Sequence, residues 1–175
     1  NKKLFDKANL IKSHGLKRSK NHWDYDILEN GSNYRISELN CALGIRQLKN
    51  ISKFLHKRNS IAKRYIKAFK DNSFLTFPRY LDYNYNSFHL FLLSLNFKML
   101  KKKKKYFLNF MKKNKIICQQ HYKPIYRFSI YKKNFSNFKK LKNAENYYDN
   151  TISIPIFFDL TLKDQNRVIK KITSF

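Results

Sequence analysis

Apolar positions along the chain follow two rhythms, one of about 3.6 residues and one of 2, and each predicts its own elements. From Lys3 to Lys12, Leu4, Phe5, Ala8, Leu10 and Ile11 keep helical spacing. Ser13-His14-Gly15 ends that run with the residue that most often follows a helix. Residues 16–32 are polar and predict a loop. A second helix is predicted from Ser37 to Leu48, with Leu39, Ala42, Leu43 and Leu48 apolar and Ser37 placed to cap it. A third runs from Ile51 to Lys70, where Ile51, Phe54, Leu55, Ile61, Ala62, Tyr65, Ile66 and Phe69 share one face. Asp71-Asn72-Ser73 and Pro78 close the first half.

The second half changes rhythm. Phe88 to Phe97 is apolar at successive positions, as expected of a strand covered on both sides. Met99 to Asn114 predicts a helix that buries Tyr106, Phe107, Phe110 and Met111 and leaves Lys101–Lys105 on a solvated face. Lys115 to His121 predicts a strand, residues 122–138 an aromatic loop, and Leu141 to Asp149 another helix. Ile152-Ser153-Ile154 is a short strand that Pro155 ends. Thr161-Leu162-Lys163-Asp164 has the form of a capping box with Asp in the Glu position, and opens a last helix through Val168, Ile169 and Ile172. Strands and helices alternate without a repeat, which gives an α/β or α+β class.

The chemistry gathers first between Trp23 and Leu48. A turn, Asn30-Gly31-Ser32, leads into Asn33-Tyr34-Arg35, so an amide, a phenol and a guanidinium reach the start of the second helix. Helix N-termini attract phosphate through free N–H groups and the dipole, and Arg adds a fork for the same oxygens. Many helices begin with a turn and an Arg, so the pattern alone decides nothing.

Composition changes the picture only in part. At 175 residues and 42% hydrophobic content the chain can build a core. The net charge of +27 would suggest a polyanion partner. It is built from 30 Lys against 8 Arg, alongside 20 Asn, and the enriched types, Lys and Asn, have A/T-rich codons. A nucleic-acid reader would use Arg forks and stacking aromatics, whereas these aromatics keep core spacing, so nucleic acid is disfavoured. Cys41 and Cys118 form neither a disulfide framework nor a metal spacing and read as buried free thiols in a reducing, cytoplasmic setting. The five His show no metal spacing either; His14 reads as a helix-end residue, His89 as a core histidine, and His22 and His56 carry no signal. No apolar run nears the roughly 20 residues that cross a bilayer, so no membrane role is expected. The first ten residues read as an amphipathic helix rather than a signal peptide, and a chain without an initiator Met is expected to start inside a longer protein.

The order Ser13-His14-Gly15, Trp23, Gly31, Asn33-Tyr34-Arg35, Ser37, Ala42-Leu43-Gly44 and Gln47-Leu48 resembles the pyridoxal phosphate-dependent sugar aminotransferases of the DegT/DnrJ/EryC1/StrS family. His89, His121-Tyr122-Lys123-Pro124, Ala144-Glu145-Asn146-Tyr147-Tyr148, Ser153-Ile154-Pro155, Asp164-Gln165 and Val168-Ile169 extend the resemblance over essentially the whole chain. It implies the C-terminal portion of a fold type I, aspartate aminotransferase-like enzyme. Residues 1–72 would be the tail of the large cofactor domain, and residues 73–175 the small α+β domain.

The implied activity is amino transfer to a 4-keto-6-deoxy nucleotide sugar, in surface-glycan or pseudaminic acid biosynthesis, by a homodimer with a shared site and glutamate as donor. Amino transfer by this cofactor needs a Schiff-base Lys and an acidic partner for the pyridine nitrogen. The resemblance puts both before Asn1, so no catalytic residue is expected here and the chain alone is expected to be inactive. Asn33 is either a turn cap or, as the resemblance implies, a ligand of the cofactor phosphate of the neighbouring subunit. Arg35 is either a surface ion-pair partner or a ligand of cofactor phosphate or substrate diphosphate. Tyr34 is a core aromatic or a pocket wall. His121 and Tyr122 are sugar-pocket lining or loop packing. Two other readings stay open: a non-catalytic remnant of the enzyme, and a small basic polyanion-binding domain.

Overall fold

A computed structural model describes residues 1–21, 23–79, 86–132 and 141–175. The chain divides into two compact units, Asn1–Asn50 and Ile51–Phe175.

In the first unit, helix α1 (Lys2–Ile11) ends at Lys12 and turns through His14 and Gly15, both at positive φ. The polar stretch expected to be a loop holds a short hairpin instead. Strands β1 (Leu16–Arg18) and β2 (Tyr25–Ile27) pair antiparallel, Lys17 opposite Asp26. Their side chains are mostly exposed, so no burial alternation marks them in the sequence. Helix α2 (Glu38–Lys49) starts where the pattern places it, and the Ser37 hydroxyl accepts the Asn40 N–H at 3.3 Å.

The second unit opens with α3 (Ile51–Phe69), which buries Ile61, Ala62, Tyr65 and Phe69. Strands β3 (Leu75–Thr76), β4 (Phe91–Leu95) and β5 (Thr151–Ile154) form one antiparallel sheet in the order β3-β4-β5. Register sets Leu93 against Ile152, both fully buried. Helices α4 (Lys104–Lys113) and α7 (Leu162–Thr173) add Phe107, Met111, Val168 and Ile172 to the same core. Buried Gln165 ties α7 to α3 through the Ile61 carbonyl, at 2.8 Å. The Thr161 cap forms: its hydroxyl accepts the Asp164 N–H at 3.0 Å and donates to the Asp164 carboxylate at 2.6 Å.

Several expectations change here. Strand β4 buries Phe91, Leu93 and Leu95 completely and Leu92 and Ser94 only partly, so its two faces are not covered alike. The helix expected from Met99 begins at Lys104, after a turn with Lys101 at positive φ. Residues 96–102 close a turn of their own instead: the Leu100 and Lys102 N–H groups bond the Asn96 and Phe97 carbonyls at 3.0 and 3.2 Å, and the Asn96 side chain accepts the Met99 N–H at 3.0 Å. Tyr106 is exposed rather than buried. Lys104 leaves the solvated run: it is half-buried, and its ammonium donates to the Thr151 carbonyl at 2.9 Å and to that of Tyr148. Residues 115–121 make a single bridge, Gln119 to Ser153, rather than a strand. The aromatic stretch contains a 3₁₀ turn (Ile125–Arg127) and helix α5 (Ser129–Lys132); its residues 133–138, like His22, lie outside the described residues. Helix α6 (Lys142–Asn150) then runs directly into β5. His89 is exposed, not a core residue, and both cysteines are half-buried.

Candidate functional site

The residues singled out in the sequence fall in two places, one in each unit. In the first, the loop 28–35 is laid against the end of α1 by backbone bonds. Leu28 N–H reaches the Gly15 carbonyl at 2.9 Å, Ser32 N–H reaches Ile11 at 3.2 Å, and Tyr34 N–H reaches Lys12 at 3.0 Å. Ser13 and Asn33 form a β-bridge. Such close approach explains two glycines. A Cβ on Gly15 would stand 1.7 Å from the Glu29 oxygen, and one on Gly31 would stand 2.4 Å from the Gly15 nitrogen.

The loop presents its side chains outward. The Asn33 Oδ1 accepts the Arg35 N–H at 3.4 Å, an Asx-type turn that aims the amide NH₂ away from the backbone. Tyr34 is 68% exposed. Among the described residues, none pairs with the Arg35 guanidinium. Among the described residues, the Asn33 amide NH₂ and the Arg35 guanidinium therefore have no partner, just ahead of the capped start of α2.

The second cluster is built on β5. Side chains alternate along a strand, so Ile152 and Ile154 enter the core while Thr151 and Ser153 face the other way. Ser153 Oγ lies 2.9 Å from His121 Nδ1, and the Gln119–Ser153 bridge fixes the backbone just before it. His121 is half-buried, and Tyr122 is 72% exposed with its ring edge-on to the imidazole at 4.7 Å. The Tyr147 hydroxyl donates to the His121 carbonyl at 2.9 Å, and burial raises its pKa above the ordinary tyrosine value. Glu145 accepts from the Tyr126 hydroxyl at 2.7 Å and from Arg127 Nε at 3.1 Å, and its second oxygen pairs with Arg127 Nη2. The Ala144-Glu145-Asn146-Tyr147-Tyr148 motif thus has a physical task that sequence reading left unassigned. Ser153 was missed too; only the polar positions of an otherwise apolar strand signal it.

A cavity of about 440 Å³ shares Gln119 and Ser153 with this cluster and is walled by Ile116, Ile154, Leu160 and Val168. Among the described residues, no group of His, Cys, Asp and Glu is placed to hold a metal.

The sequence pattern of the DegT/DnrJ/EryC1/StrS aminotransferase family matches residues 1–173. The chain belongs to this family. It is 41% identical over 164 residues to the UDP-4-amino-4,6-dideoxy-N-acetyl-beta-L-altrosamine transaminase of Campylobacter jejuni, covering 94% of this chain and 43% of that protein. Among solved structures it is similar to Helicobacter pylori PseC, an aminotransferase involved in the biosynthesis of pseudoaminic acid. The TM-score is 0.88 at 32% identity, over 99% of this chain and 46% of that one. A candidate sugar aminotransferase from Streptococcus pneumoniae, solved in its PLP-form, shares the fold at a TM-score of 0.82 and 20% identity, over 99% and 43% of the two chains. The chain spans less than half the length of the relatives it matches. Its fold is that of a portion of these sugar aminotransferases, as the resemblance implied.

Proposed function

We propose that this family member is the C-terminal part of a pyridoxal phosphate-dependent aminotransferase that places an amino group on a 4-keto-6-deoxy nucleotide sugar, in surface-glycan or pseudaminic acid biosynthesis. The observation that carries the reading is the Asn33 amide and Arg35 guanidinium, without partners among the described residues, ahead of a helix N-terminus in a chain of this family. That donor set fits a phosphate: two side chains that only donate at their free ends, beside backbone N–H groups of the same polarity.

When bound, pyridoxal phosphate supplies the electron sink that amino transfer requires. The residues of this chain hold and orient. Asn33 Nδ2 donates to the phosphate of the cofactor in the neighbouring subunit of a homodimer, and Arg35 grips phosphate or diphosphate oxygens. Tyr34 walls the pocket with an exposed ring. His121 has Nδ1 engaged by Ser153, which leaves Nε2 for a sugar hydroxyl, and Tyr122 offers a phenol beside it. In this reading residues 1–72 belong to the large cofactor domain and 73–175 to the small domain. The Schiff-base Lys lies in the preceding part, glutamate is the donor, and the enzyme works in the cytoplasm.

In the complete protein, Arg35→Ala is expected to weaken binding of the cofactor or the nucleotide sugar by about 1–3 kcal/mol, the range for losing a charge-assisted hydrogen bond. Calorimetric titration of both ligands measures it. Unchanged affinities would remove Arg35 from the site.

A further inference from the structure

The segment from Gln119 to Phe128 carries His121 and Tyr122, yet it sends no fully buried side chain into the core. Tyr122 and Ile125 are exposed, and His121, Tyr126 and Arg127 are half-buried. Packing therefore does little to fix where this segment stands. Polar contacts do: Ser153 anchors His121, and α6 supplies further bonds along the segment.

Helix α6 reaches the segment at both ends. Tyr147 holds the His121 carbonyl at 2.9 Å. Side chains from little more than one turn, Glu145 to Asp149, then hold the far end. Glu145, whose side chain is only 15% exposed, takes the Tyr126 hydroxyl and the Nε–Nη2 edge of the Arg127 guanidinium. The guanidinium also lies over the Tyr148 ring at 5.0 Å, and Asp149 stands 3.8 Å from its Nη1. A bidentate carboxylate–guanidinium pair fixes direction as well as distance. With a phenol added to the same carboxylate, the 3₁₀ turn at Ile125–Arg127 has one position relative to α6. The short span between the two anchors, Tyr122 to Ile125, has its path set by them.

We propose that α6 is a positioning clamp for the His121–Tyr122 loop, with Glu145 the positioning residue: it sets where the imidazole and phenol stand without touching the sugar itself. This rests on the assignment of those two side chains to the sugar pocket made above. It adds a determinant of sugar recognition that lies outside the pocket. Because the clamp holds a segment with no core side chain, breaking it moves the loop and leaves the core in place.

The test uses NMR of the complete protein with labelled histidine, tyrosine and methyl groups, a readout that needs no activity. In Glu145→Ala, the His121 imidazole and Tyr122 ring signals shift and the contact between His121 and Tyr147 is lost, while methyl signals of Leu93 and Ile152 stay in place. Glu145→Gln, whose amide oxygen still accepts from Tyr126 and Arg127, returns the loop signals toward their original positions. Unmoved His121 and Tyr122 signals in Glu145→Ala overturn the proposal. So does a change spread equally over loop and core. In the complete enzyme the same variant raises KM for the nucleotide sugar by about tenfold with cofactor affinity unchanged, as loss of one charge-assisted network implies. Displaced loop signals with an unaltered KM would leave the clamp standing and remove His121 and Tyr122 from the sugar site, so the two failures are separable.

Discussion

Lys104 shows how one side chain can depart from its neighbours. Four lysines around it stay in water, but its ammonium sits under the end of α6, between the Tyr148 and Thr151 carbonyls and 5.0 Å from the Tyr148 ring. Burial lowers its pKa from 10.5 to about 8, against a smaller opposing pull from Asp149. The unfolded chain keeps this proton to about 10.5 while the folded chain releases it near 8, so in that window the unfolded state binds more protons. Stability therefore rises with pH across it and is lost as pH falls back through 8. Urea midpoints of the wild type and Lys104→Met, compared on both sides of pH 8, should diverge in that sense. A constant difference between them would contradict the burial. Cys118 follows the same physics with opposite sign: burial pushes its thiol up to about 12, which keeps it a poor nucleophile at neutral pH.

Elements with a strong period were legible in the sequence. α2, α3 and α7 lie where the apolar spacing and the Ser37 and Thr161 caps put them. β5 announced itself through Ile152, Ile154 and Pro155. What escaped was held by backbone or by polar side chains. The β1–β2 hairpin has no buried face to pattern, the start of α4 was hidden by its lysine run, and a single bridge at Gln119 stood where a strand was expected. The same holds for the site. Asn33, Tyr34, Arg35, His121 and Tyr122 stood out by type and order, but Glu145, Tyr147 and Ser153 act through distances of 2.7–3.1 Å that no spacing rule reveals. The glycine turns sit between these cases. Gly31→Ala would drive a Cβ against the Gly15 nitrogen and the Ile11 carbonyl oxygen, at 2.4 and 2.5 Å. Overpacking of that kind costs about 1–3 kcal/mol, and it should loosen the loop that carries Asn33 and Arg35. Amide exchange should quicken at His14 and Tyr34, whose N–H groups bond Ser32 and Lys12, and stay unchanged in α3 and α7. Protection retained at His14 and Tyr34 would contradict this account of the turn.

At the scale of the whole molecule the two units differ in what holds them. The second has a shared core running through α3, the sheet, α4 and α7. The first buries no helix side chain at all, and Trp23 and Leu39 are 79% and 81% exposed. Apolar surface on that scale marks a face built for further protein. It accords with a chain that spans less than half the length of its relatives, and with the proposal that the residues here grip phosphate and sugar while the Schiff base is made elsewhere in the enzyme. The most direct test is to express the longest reading frame that encodes this chain. Supplied with pyridoxal phosphate, glutamate and a UDP-linked 4-keto-6-deoxy sugar, the product is read by mass spectrometry. The account predicts a nucleotide sugar carrying a new amino group, formed only with the cofactor present and reduced in Arg35→Ala. A folded protein that binds pyridoxal phosphate and leaves the keto sugar unchanged, or a reading frame without a Schiff-base lysine, would contradict it.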